Sequence, residues 1–140
     1  MIQRIQTVYL FLIVVLQSIM LLSDSAGYID ANGVEQVFSI KNIPAIAVLA
    51  ALTSLIPAIS MFMFRNRIRQ IRFNIFNSIL LVALQIYILY YIVSFAINAV
   101  SFTFSIISLF PAVSLILSIL AIKKMLKDER LIQSLNRLRR

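Results

Sequence analysis

Cysteine and histidine are both absent from this chain. Without cysteine no disulfide forms, and the redox compartment is left unread. Without either residue, thiolate and imidazole metal sites are excluded, as are Cys–His and Ser–His nucleophilic pairs. Acids are scarce too. Asp24, Asp30, Glu35, Asp128 and Glu129 are the only five, and none interrupts an apolar run. Proton relays across a bilayer generally use an ionisable group inside it, so this composition argues against one. It argues against catalysis as well, because a Ser or Tyr nucleophile still needs a base. No cofactor and no metal is expected.

What the chain has in excess is apolar residues, 61% of 140 against 13% charged; soluble domains carry about 25% charged. They fall in long runs, which describe membrane spans rather than a soluble core. The expected fold is an all-α membrane protein of one domain, residues 1–140, with spans near 5–22, 43–64, 73–95 and 102–122. The first run competes with a signal peptide, but it exceeds the usual 7–15 apolar residues of a signal core. At 1.5 Å per residue it reaches about 27 Å, close to the ~30 Å hydrocarbon thickness.

The net charge of +8 is unevenly placed. Arg65, Arg67, Arg69 and Arg72 crowd one loop, expected at 65–72, between the second and third spans. Lys123, Lys124, Lys127, Arg130, Arg137, Arg139 and Arg140 lie in the tail from 123 to 140. An Arg or Lys at the bilayer centre costs about 2.5–3.5 kcal/mol on insertion scales, and basic loops stay on the cytoplasmic side. With both termini inside, Arg4, the arginine loop and the tail share the cytoplasm, and Lys41 is the one cation left outside. The spans then form two helical hairpins in one bundle. The converging cations make a cytoplasmic basic face suited to anionic headgroups. Asp128 and Glu129 are the acids there, available to pair with Arg4, Arg67 or Arg72 and tie tail to loop.

The outer loop, 23–42, contains Asn32-Gly33 between two short strand-like runs, the strongest two-residue hairpin signal. A lone hairpin is marginal in water, so it rests on the helix ends or docks another protein. In the second span Pro44 suits a first turn, and Pro57 should kink the helix and free the Thr53 carbonyl. Ala47, Ala50, Ala51, Ser54 and Ala58 form a small-residue strip for close packing, within the chain or between copies. The third span places Gln85 near the midplane, where an amide needs a partner; Gln17 or a serine of the fourth span is the expected one. Asn77 is the other polar residue of note there, and Tyr87, Tyr90 and Tyr91 gather toward the outer end. A tight uncharged connection around Ala96–Ser101 follows. The fourth span is bent by Pro111 and carries Ser101, Ser105, Ser108, Ser114 and Ser118, which either bond the carbonyl one turn back or line a polar path.

In the tail, Leu131, Ile132, Leu135 and Leu138 make an apolar stripe opposed to the Ile122, Met125, Leu126 side. A break near Lys127-Asp128, with Asp128 as N-cap, would let an amphipathic helix lie on the cytoplasmic surface. Basic tails also bind nucleic acid or ribosomes, here the weaker alternative.

Three stretches together resemble a domain-of-unknown-function family of small bacterial four-span inner-membrane proteins. They are the opening Met1-Ile2-Gln3-Arg4-Ile5-Gln6-Thr7-Val8-Tyr9-Leu10, then Asn66-Arg67 with Gln70-Ile71-Arg72. The third is Lys127-Asp128-Glu129 with Leu131-Ile132, Ser134 and Leu138-Arg139. Gln133 and Asn136 depart from the family's pattern. The resemblance implies the inner membrane of a Gram-negative bacterium and no particular activity.

Three functions compete. The first is a non-catalytic accessory or subunit-type protein, acting through its basic face on lipid headgroups or a protein partner. The second is a small oligomeric transporter or channel using Gln17, Asn77, Gln85 and the serines. The third is a membrane enzyme, which the missing bases disfavour.

Overall fold

A computed structural model describes residues 2–29, 32–63, 66–98 and 101–138. Four long helices carry the chain: α1 (Ile2–Leu22), α2 (Pro44–Phe62), α3 (Arg67–Asn98) and α4 (Phe110–Leu138). Three short strands, β1 (Asp24–Ile29), β2 (Glu35–Ser39) and β3 (Ser101–Phe104), sit between them. Helix α1 packs on α2 and α4, and α3 packs on the same two, so the four form a ring in the order α1–α2–α3–α4.

The sequence period explains the ring. Each helix buries residues at alternating steps of four and three: Gln6, Leu10, Ile13, Gln17 and Met20 in α1, and Ile46, Ala50, Thr53, Pro57 and Ser60 in α2. Gln70, Asn74, Asn77, Leu81, Leu84 and Ile88 do so in α3, and Ser114, Ser118, Ala121, Met125 and Asp128 in α4. A 3.5-residue repeat is the signature of helices wound about one another, each with a single inward seam. The polarity of that seam is inverted relative to a soluble bundle. Outward positions such as Phe11, Val48, Phe76, Ile79, Ile86 and Ile116 are apolar and exposed, whereas much of the seam is polar. No more than 22–28% of each span is buried inside the bundle. An apolar belt of that extent on a monomer marks a surface made for another medium, and lipid is the medium that leaves it unpenalised.

Several expectations are corrected. Helix α3 begins at Arg67 rather than Phe73, so Arg67, Arg69 and Arg72 ride on its first turns instead of in a loop. Arg, Gln and Asn are tolerated in a helix, and their long side chains reach water from its end. The tail does not break at Lys127-Asp128: α4 continues unbroken to Leu138, and Asp128 lies within it rather than at an N-cap. Residues 131–137 are exposed, so beyond the bundle no packing conflict forces a break. Pro111 does not bend α4. It falls in the first turn, where a missing N–H is free. Pro44 opens α2 as expected, and Pro57 is buried within it.

The expected hairpin is one part of a three-stranded antiparallel sheet, order β2–β1–β3. The connection expected to be a bare turn near Ser101 instead supplies β3, which pairs Ala26 with Phe104 and Ile29 with Ser101. A third strand overcomes the marginal stability of a two-stranded ribbon. Thr103 Oγ1 reinforces it by donating to the Gly27 carbonyl at 3.0 Å. The β1–β2 pairing closes at Ile29 and Glu35, so the turn is longer than two residues. Gly33 has φ +74°, while Asn32 does not take positive φ, which excludes the two-residue type expected. Residues 30 and 31 lie outside the described residues.

Candidate functional site

Two features gather the polar chemistry: the inward seam and the basic end of the bundle. At that end Gln6 Nε2 donates to Asp128 Oδ2, with both side chains buried. Across the ring, Gln70 Nε2 donates to the Ser60 carbonyl at 3.0 Å. One turn further in, Asn74 Nδ2 donates to Ser60 Oγ at 2.8 Å and to the Gln70 carbonyl at 2.9 Å. Ser78 and Ser118 share a 2.8 Å hydroxyl–hydroxyl bond. Toward the sheet end, Gln17 Nε2 donates to Ser114 Oγ at 2.9 Å, and Thr53 Oγ1 reaches Gln17 Oε1 at 3.4 Å. Three helices thus meet at Gln17.

Asn77 is the exception. It is fully buried, and neither its Oδ1 nor its Nδ2 has a protein partner; Asn74 Oδ1 shares that condition. An unbonded amide in an apolar setting costs roughly 2–7 kcal/mol, depending on the reference state, so these atoms are the least satisfied part of the seam.

Gln85 meets a serine of the fourth span, one of its two expected partners, and not Gln17. Its Nε2 donates to the Ser108 carbonyl at 3.3 Å and its Oε1 accepts the Ala112 N–H at 3.1 Å. It therefore satisfies orphan backbone groups at the start of α4. Among the serines, Ser108 bonds the Ser105 carbonyl at 2.7 Å, the local habit expected, while Ser114 and Ser118 bond across the bundle. Ala50 is fully buried against the core, the packing use of the small-residue strip.

The basic face is placed as follows. Arg67 and Arg69 line a hollow of about 340 Å³ with Asn66, Ile68, Glu129 and Ile132. Arg69 also lines a groove of about 220 Å³ with Arg72, Phe73 and Phe76. Lys123, Lys124, Lys127, Arg130 and Arg137 follow along α4, and Arg4 sits on the first turn of α1. Arg65, Arg139 and Arg140 lie outside the described residues. Among the described side chains no ion pair joins Asp128 or Glu129 to Arg67 or Arg72, and the expected pairing with Arg4 lies outside the described side chains; Glu129 Oε1 accepts a 3.3 Å bond from Gln133 Nε2. At the sheet end, Lys41 Nζ donates to the Leu22 carbonyl at 2.9 Å, capping the end of α1 where a cation suits the helix dipole. No cluster of metal-ligating side chains occurs among the described residues.

Sequence reasoning missed Gln6, Thr53, Ser60, Gln70 and Asn74 as members of the seam. The signal was present in the alternating steps of four and three that link them to Gln17, Asn77 and Ser114.

Four long apolar helices around a partly polar interior define a multi-pass membrane protein. The chain belongs to the family described as Domain of unknown function (DUF4293), whose profile matches residues 2–138. No curated protein matches the chain. No solved structure matches it either.

Proposed function

We propose that this chain is a non-catalytic accessory or subunit-type protein of the bacterial inner membrane. Both termini lie in the cytoplasm, and its basic face binds anionic phospholipid. The observation that carries this reading is the position of Arg69. It borders a hollow of mixed polarity, lined also by Asn66, Arg67 and Glu129, on one side and a groove floored by Phe73 and Phe76 on the other. A phospholipid has those two parts, a charged headgroup and an apolar tail. Each Lys or Arg near an anionic leaflet contributes about 1 kcal/mol, and Arg67, Arg69 and Arg72 have no acid paired to them among the described residues. The exposed Leu131, Ile132 and Leu135 of the tail add apolar area beside the same face for lipid or a protein partner.

The test is thermal unfolding of the purified protein with added phosphatidylglycerol or phosphatidylcholine. Phosphatidylglycerol should raise the midpoint further, and the difference should vanish in Arg69→Gln/Arg72→Gln. Equal shifts from both lipids in the parent protein would refute the reading.

A second reading, a small oligomeric transporter or channel, draws on the polar seam. Most of the seam's groups are bonded to one another, which favours glue between helices over a pathway. Purification in mild detergent separates the two: a stoichiometric partner supports the accessory role, and a homo-oligomer enclosing a wet cavity supports transport.

A further inference from the structure

Asn77 lies five residues beyond Arg72, the last arginine of α3, about 7.5 Å along the axis at 1.5 Å per residue. Its amide therefore falls inside the hydrocarbon, nearer the basic end than the midplane. Its oxygen and nitrogen, and the oxygen of Asn74 one turn nearer the cytoplasm, are the buried seam atoms without protein partners. Pro57 occupies the seam of α2 one step outward from Ser60, the residue that bonds Asn74. It therefore falls level with Asn77, and its missing N–H leaves the Thr53 carbonyl without a helical donor. On α4 the same level holds Ser118, already engaged with Ser78.

The unmatched groups at this level are carbonyl oxygens and one amide N–H₂. A bare cation would suit the oxygens but be repelled by the N–H₂, and an anion would meet the reverse conflict. An occupant that both donates and accepts satisfies both. Water, with two donors and two acceptor lone pairs, is the smallest such molecule, and buried waters typically make two to four bonds of this kind.

We propose that Asn74 and Asn77 hold a bound water inside the bundle, within the hydrocarbon region. This water joins the inner chain of bonds, Gln70–Ser60–Asn74, to the outer one, Thr53–Gln17–Ser114, in one continuous polar seam. The proposal is independent of lipid binding at the cytoplasmic face.

Water-edited solid-state NMR of the full chain in phosphatidylcholine bilayers tests it. The Asn77 side-chain amide is assigned by its disappearance in Asn77→Leu, or in Asn77→Gln should the leucine variant fail to fold. Magnetisation should pass from water to that amide several-fold faster than to the methyl groups of Leu84, which is fully buried in an apolar cluster. Asn66, exposed at the cytoplasmic end, marks the upper limit. Build-up no faster at Asn77 than at Leu84 overturns the proposal. So does an Asn77 shift that moves when sodium chloride replaces choline chloride, which would assign the place to a cation.

Discussion

The bond between Gln6 and Asp128 is the point at which one residue's removal should matter most. Asp128 is 8% exposed, as is Gln6, and Gln6 Nε2 donates to its carboxylate. Deleting one partner of a buried bond exposes the other to the full desolvation penalty, about 1–3 kcal/mol and more for a charged group. Replacing both with apolar groups of similar shape removes that penalty. Gln6→Leu is therefore expected to lower the unfolding midpoint in detergent clearly, and Asp128→Asn, which keeps an acceptor, to lower it less. Gln6→Leu/Asp128→Leu should be more stable than the sum of its two single changes. Strict additivity would mean that the two side chains do not depend on each other. The same logic separates Asp128 from Glu129, an adjacent acid engaged with Gln133 in a partly exposed position, whose loss should cost little.

At the scale of elements, the inward seams were legible in the residue spacing, but only as a repeat and not as separate small-residue strips. Reading Ala47, Ala50, Ala51, Ser54 and Ala58 as one strip picks out Ala50 and misses that Thr53, Pro57 and Ser60 continue its line. The arginines hid the start of α3, because charge marks where the hydrocarbon ends and not where the helix begins. Strand β3 was the least legible, since Ser-Phe-Thr-Phe continues an apolar run and its partner lies more than 70 residues earlier. What shaped the pairing is a contact no local pattern carries: a Cβ on Gly27 would stand 2.9 Å from Thr103 Oγ1. Gly27→Ala should rotate that hydroxyl out of its bond to the Gly27 carbonyl, a loss of about 0.5–1.5 kcal/mol. In a Thr103→Ala background the glycine change should cost much less, because neither the obstacle nor the bond remains. Hydrogen exchange of the β3 amides reads both effects, and an equal cost in the two backgrounds would show that the close approach is not the cause.

For the whole molecule, the decisive property is that cations are collected at one end of a bundle whose flanks are apolar. Arg67, Arg69 and Arg72 open α3, Lys123 through Arg137 close α4, and Arg4 starts α1, all at the end where Gln6 meets Asp128. The opposite end carries the sheet and Lys41, which is held against the Leu22 carbonyl. Turning the molecule over would move twelve of thirteen Lys and Arg across the bilayer, and the charge bias of short connections opposes that strongly. A reporter active only in the cytoplasm, fused after Arg140, is therefore expected to be active, and one active only in the periplasm to be silent. Replacing Arg65, Arg67, Arg69 and Arg72 together by Gln leaves the tail's cations in place, so the orientation should persist while the preference for phosphatidylglycerol is lost. Periplasmic activity of the parent fusion would invert the assignment of faces. The basic end would then meet the outer leaflet, and the lipid reading would fall with the topology. The seam bonds within the bundle would stand in either orientation, because they depend on packing and not on which side is inside.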